Sequence, residues 1–167
     1  MDLTMLRQGR VSLALEPVDV VALLAQRVSQ AQQRSVGTSV FTDLPGRPGA
    51  REALRVRGDI HRLAQLFDSL IDNAVRHGTP GESVVVRARL RHGQVLAEVS
   101  NISQPVAPAV LQALATGTAA QPQADSRGGL GYGLYICQAI ARAHGGDLLH
   151  HYDEPFVTFA VQLPLAD

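Results

Sequence analysis

Asp59-Ile60-His61-Arg62-Leu63-Ala64-Gln65-Leu66-Phe67-Asp68-Ser69-Leu70-Ile71-Asp72-Asn73-Ala74-Val75-Arg76-His77-Gly78 is the most regular stretch of the chain. Its apolar residues from Leu63 through Leu66, Phe67, Leu70, Ile71 and Ala74 to Val75 recur at i, i+3, i+4, i+7, i+8, i+11 and i+12. That unbroken stripe predicts an amphipathic helix with one face in a core. Asp59 is suited to cap its first N–H groups, and Gly78 with Thr79-Pro80-Gly81 stops it. At 100° per residue, Ser69, Asn73 and Arg76 share a strip at the rim of the stripe, with Arg62 two turns earlier. An amide oxygen suits Mg²⁺ as a hard neutral ligand, and an arginine one turn on suits phosphate. Taken alone, the helix reads more simply as a solvated polar face.

A second stretch alters that balance. Gly129-Leu130-Gly131-Tyr132-Gly133-Leu134 opens a helix that runs to His144, where Gly145-Gly146 ends it. Alternating glycines let backbone N–H groups approach an anion, and the helix N-terminus adds partial positive charge there. A polyphosphate is the natural guest. No βαβ unit with a downstream acid surrounds these glycines, so they are not a dinucleotide fingerprint, and there is no Walker-type lysine.

Around these two helices the pattern alternates. Strands are predicted at Val11 to Leu15, Val40 to Leu44 and Leu54 to Arg57. Ser83 to Arg91 and Gln94 to Val99 form a hairpin through His92-Gly93, and Asp147 to Tyr152 with Phe156 to Leu163 form another. Asp19 caps a helix to about Arg34, and a short helix covers Ala109 to Leu114. Ala115 to Arg127 has neither period nor bulk and reads as a mobile loop. The expected fold class is α/β, a two-layer sandwich with a mixed, mostly antiparallel sheet and helices on one face.

Composition narrows the function. The 167 residues suit one domain, and 46% hydrophobic content indicates a packed core rather than disorder. Fifteen basic and fifteen acidic side chains balance, so no global field draws nucleic acid or an anionic membrane. Any phosphate must be held locally. The lone Cys137, in an apolar helical run, reads as a buried structural thiol. No apolar stretch is long enough to span a bilayer, and a cytoplasmic location is expected.

Taken together, Ser69 to His77, the hairpin, the loop and the Gly-x-Gly-x-Gly helix resemble the catalytic, ATP-binding domain of sensor histidine kinases. These belong to the Bergerat-fold ATPases with gyrase B, Hsp90 and MutL. Ser69 to His77 looks like the asparagine box, Gly129 to Gly133 like the second glycine box, and 115–128 occupies the place of the ATP lid. Asn101-Ile102-Ser103-Gln104-Pro105-Val106-Ala107-Pro108 resembles the first glycine box of a variant branch, that of phytochrome-like histidine kinases, with asparagine for the usual aspartate.

The resemblance implies Mg²⁺ and ATP as cofactors. It implies catalytic positions at Ser69, Asn73 and Arg76, with Asn73 as the metal ligand. Nucleotide contacts are implied at Asn73, Arg76, His77, Asn101, Ser103, Arg127, Gly129, Leu130, Gly131, Tyr132, Gly133, Leu134 and Thr158, with Asn101 and Thr158 facing adenine. Residues 1–16 would be the exit from a dimerisation hairpin with a linker strand, and 17–167 the catalytic domain. Its partners would be the histidine-bearing dimerisation domain and a response regulator receiver domain, without nucleic acid or direct membrane contact. The isolated chain would be a protein histidine kinase domain that does not phosphorylate itself. Two alternatives stand beside this: a Bergerat-fold docking module that has lost its nucleotide, and a serine-protein kinase of the anti-sigma-factor type.

Overall fold

Strands form here where they find partners. The computed structural model describes residues 12–35, 37–46, 49, 54–117 and 130–166. The chain's first eleven residues, most of the 45–52 loop and most of the segment read as a lid lie outside the described residues. In order, the described elements are β1 (Glu16–Asp19), α1 (Val20–Arg34), β2 (Val40–Asp43), β3 (Arg55–Gly58), α2 (Ile60–His77), β4 (Val84–Arg91) and β5 (Gln94–Ile102). They continue with α3 (Pro108–Thr116), α4 (Leu130–Ala143), β6 (Asp147–Asp153) and β7 (Phe156–Pro164). The main sheet has the order β2-β4-β5-β7-β6, while β1 and β3 pair separately. Among the described strands, only β2 against β4 is parallel.

The first strand differs from expectation. It lies at Glu16–Asp19 rather than Val11 to Leu15, because the pairing partner β3 meets those later residues, Val18 opposite Val56. Elsewhere the boundaries move by a few residues, and β5 runs on to Ile102.

Period-two alternation separates the two sheet faces. Val84, Val86 and Ala88 of β4, Val95, Ala97 and Val99 of β5, and Val157, Phe159, Val161 and Leu163 of β7 join one core. The helices α1, α2 and α4 complete it with Leu24, Phe67 and Ile140, all fully buried. The helix layer therefore covers one face, as the alternation requires. Phe67 packs among Leu63, Leu66, Leu70 and Ile71, the stripe read from sequence.

Three polar devices fix α2. Asp59 accepts from the N–H groups of His61 (3.1 Å) and Arg62 (3.2 Å), and its second oxygen from Ala14 (3.1 Å). Burial opposes its charge, but these backbone donors and the Arg62 guanidinium outweigh it and hold the carboxyl below its ordinary value. Arg27 and Arg34 of α1 reach Asp68 (3.2 Å) and Asp72 (3.5 Å). At the end of α4, His144 Nδ1 donates to the Ile140 carbonyl (2.8 Å) while Nε2 accepts from the Asp59 N–H (3.0 Å). This bridge ties the last residues of α4 to the first of α2. Gly58 leaves room for it, since a Cβ there would lie 2.9 Å from His144 Cδ2.

Candidate functional site

Two contacts show that α2 and α4 run antiparallel. His144, just past α4, meets the start of α2, and half-way along, Cys137 Sγ lies 3.6 Å from the Leu66 carbonyl. The Ser69 hydroxyl also hydrogen-bonds this thiol, which burial pushes up to about 12. From the Ser69–Cys137 level, Asn73 is four residues onward along α2 and Gly133 four residues back along α4. Both steps cover roughly 6 Å of helix, so Asn73 and Gly133 stand at the same height, with Arg76 and His77 level with Leu130. The amide-bearing end of α2 and the N-terminal turn of α4 thus lie at the same end of the helix pair.

That turn is itself a finding. α4 begins at Leu130, so Gly131 and Gly133 lie within its first turn rather than in a loop before it. In a helix starting there, the N–H groups of Leu130, Gly131 and Tyr132 have no acceptor inside the helix, whereas Gly133 is where the internal ladder starts. A Cβ on Gly133 would meet no described atom within 4 Å. No described neighbour's packing demands glycine there. Leu134 is different: it is fully buried and belongs to the core. Arg127 and Gly129 lie outside the described residues, as do the side chains at Leu130 and Tyr132.

β5 supplies the third wall. Beyond Gly78, the Thr79 N–H donates to the Ile102 carbonyl (2.8 Å), drawing the end of α2 onto the end of β5. Asn101 thereby packs against Gly78, where an added Cβ would come within 3.5 Å of Asn101 Nδ2 and 2.7 Å of the Ala74 carbonyl. Asn101 is only 5% exposed, and no described residue hydrogen-bonds its amide. A buried amide left open in this way is suited to a ligand edge that both donates and accepts. Asn73 is half-buried and Arg76 exposed, both in the last turns of α2.

The structure does not bring every predicted residue here. Thr158 pairs with Ser100, hydroxyl to hydroxyl at 2.7 Å, while Asn101 pairs with Val157. Neighbours along a strand point to opposite faces, so Thr158 lies on the face away from the helices and cannot share a base with Asn101. The residue across from Asn101 is the buried Val157. Ser103 is occupied locally, its N–H donating to the Pro155 carbonyl (3.1 Å) and its hydroxyl to the Gln104 carbonyl (3.2 Å). Ser69 faces α4 at the helix seam rather than the open rim. One supporting residue went unread in the sequence: Gln138, 4% exposed, donates from Nε2 to the Leu114 carbonyl (2.7 Å) and clamps α3 to α4.

A two-layer sandwich whose glycine-bearing helix N-terminus lies level with an amide-bearing helix end defines the Bergerat class of nucleotide-binding ATPase domain. The chain belongs to the histidine kinase-, DNA gyrase B- and HSP90-like ATPase family, whose model matches residues 58–167. Within it, the similarity lies with sensor histidine kinases. The chain is 32% identical to a bacteriophytochrome of Pseudomonas aeruginosa over 99% of its own length and 22% of the relative's. It is 31% identical to the signal transduction histidine-protein kinase BaeS of Escherichia coli, over 98% of this chain and 35% of that one. It therefore spans between about a fifth and a third of these relatives. Among solved structures, full-length ShkA in complex with AMPPNP superposes with a TM-score of 0.73 at 24% identity, covering 98% of this chain and 35% of that chain. No described helix is long and apolar enough to cross a membrane.

Proposed function

We propose that the domain binds Mg²⁺-ATP between the end of α2, the end of β5 and the first turn of α4. From there it presents the γ-phosphoryl group to a histidine on a separate dimerisation domain of the same parent protein. The observation that carries this reading is Asn101, an almost fully buried amide that no described residue hydrogen-bonds, held against Gly78 at the end of α2. Its carbonyl would accept from the adenine amino group and its NH₂ donate to a ring nitrogen. The N–H groups of Leu130, Gly131 and Tyr132 would hold phosphate oxygens, and Arg76 would add charge beside them. Asn73 would hold Mg²⁺ through its amide oxygen. The bound ion would supply neutralisation of the charge that builds on the phosphates during transfer.

No residue of α2 needs to activate the acceptor, because imidazole is already a competent nucleophile. Serine at 69 offers no base for water attack, and its hydroxyl is turned to Cys137. The domain's work is positioning. By analogy with its relatives, the phosphohistidine would pass its group to the receiver domain of a response regulator, and residues 1–16 would lead in from the dimerisation hairpin.

The test is phosphotransfer from γ-labelled ATP to the parent's histidine-bearing domain supplied separately. Label should reach that domain only when the present chain is added. Label stably fixed on a histidine of the chain itself would contradict the reading. One observation favours the docking-module alternative: with Thr158 facing outward and Val157 in its place, the base would have a single polar side chain to meet.

A further inference from the structure

β6 ends the sheet, and among the described residues its second edge pairs with no strand. Leu148 shows which backbone groups look outward there, since its N–H donates to the Asp147 carboxylate (2.8 Å) rather than to β7. Alternation then turns the N–H and C=O of His150 and Tyr152 the same way. Beside this edge lies a cavity of about 410 Å³. Leu148, His150 and Phe159 floor it, and Leu111, Ala115 and Gln138 of α3 and α4 form its far wall. Arg142 and Asp147 also line it but are paired with each other, and the Gln138 amide is engaged by the Leu114 carbonyl. Its leucines, Ala115 and Phe159 are left to receive an apolar group, with the buried His150 Nε2 as the one polar point without a described partner. An unpaired strand edge next to an apolar cavity is the arrangement by which sheets accept an extended peptide.

Charge decides between occupants. Asp147, at one end of β6, is held by Arg142 at 3.2 Å. At the other end, Asp153 and Glu154 are exposed and have no ion-pair partner among the described residues. A second copy pairing antiparallel about His150 would set Asp147 opposite Asp153 at both ends, and like charges facing across strands repel. A peptide bearing a cation at that position meets attraction instead. We propose that the β6 edge receives an extended segment of a partner protein, antiparallel to β6. The segment would seat an apolar side chain opposite His150 in the cavity and a lysine or arginine opposite Asp153.

The probe is a fluorescein-labelled peptide, Lys-Thr-Thr-Leu-Thr-Val-Thr, titrated with the 167-residue chain and followed by polarisation. Saturable binding is expected, together with slowed amide exchange at His150 and Tyr152. Ala115→Trp fills the cavity from an exposed position and should weaken binding at least tenfold. Asp153→Lys should weaken it several-fold, and a peptide with glutamate for its lysine should recover that loss. This charge exchange reads out even if Ala115→Trp disturbs α3. No binding up to about 1 mM peptide, a Kd above which any contact is weaker than about 4 kcal/mol, overturns the proposal. So does binding indifferent to both substitutions, or a concentration-dependent dimer that the peptide fails to dissociate.

Discussion

Replacing Asn101 by leucine separates a ligand-binding amide from a structural one. The side chains have similar shape, and the site is 5% exposed with no described hydrogen-bond partner for the amide. In the free protein, leucine therefore breaks no hydrogen bond and removes a poorly solvated polar group. Because the residue keeps 5% exposure, the gain is about 0 to 1 kcal/mol, well below the full cost of an unpaired buried amide. For a chain of this size each kcal/mol shifts Tm by about 2–4 °C, so the melting point should hold or rise by up to roughly 4 °C. Nucleotide binding should move the other way. Two hydrogen bonds to the base, at about 0.5–1.5 kcal/mol each, correspond to roughly a fivefold to 150-fold loss of affinity. Thermal denaturation and calorimetric titration with an ATP analogue measure both. A variant that melts several degrees lower yet binds as the wild type would show that the amide serves the fold, and the argument from its open hydrogen-bonding capacity would be wrong.

Other outcomes follow from particular contacts. Asp59→Ala removes a helix cap and should cost about 1 kcal/mol at neutral pH. Since the folded carboxyl titrates below its ordinary value of 3.8, that stabilisation is complete above this value and disappears as pH falls through the lower folded one. The gap in Tm between wild type and variant should therefore close in strong acid. Gly146→Ala drives a methyl group into the Gln162 carbonyl of β7, so a loss of about 2–4 kcal/mol is expected by urea denaturation. A loss under about 0.5 kcal/mol would mean that this corner is free to relax. Cys137 is fully buried, with its thiol pushed up to about 12. Ellman's reagent at mild alkaline pH should leave it unmodified until denaturant is added.

Much of this fold was readable because its elements carry strong local periods. α2 kept its cap, stripe and stop where the sequence placed them, and both hairpins formed at the expected turns. The two helices that frame the candidate site were legible, because a polar rim and a glycine-bearing helix start are local patterns. The orientation of Thr158 was legible too, though the family resemblance argued otherwise: Val157, Phe159, Val161 and Leu163 alternate as an inward row, which turns Thr158 out. A shift of one residue in a strand reverses the face, and residue type alone does not reveal it. Contacts between distant segments were not legible. Neither the His144 bridge to Asp59 nor the Gln138 clamp on Leu114 leaves a local period, since each depends on how close two elements come after packing.

Calorimetric titration of Asn73→Ala beside the unaltered chain, with Mg²⁺ and a non-hydrolysable ATP analogue, asks most directly whether the two helices hold a triphosphate. A Kd on the order of micromolar is expected for the unaltered chain, and at least tenfold weaker binding for the variant. Absence of heat at millimolar analogue, or equal affinity for both proteins, would contradict it.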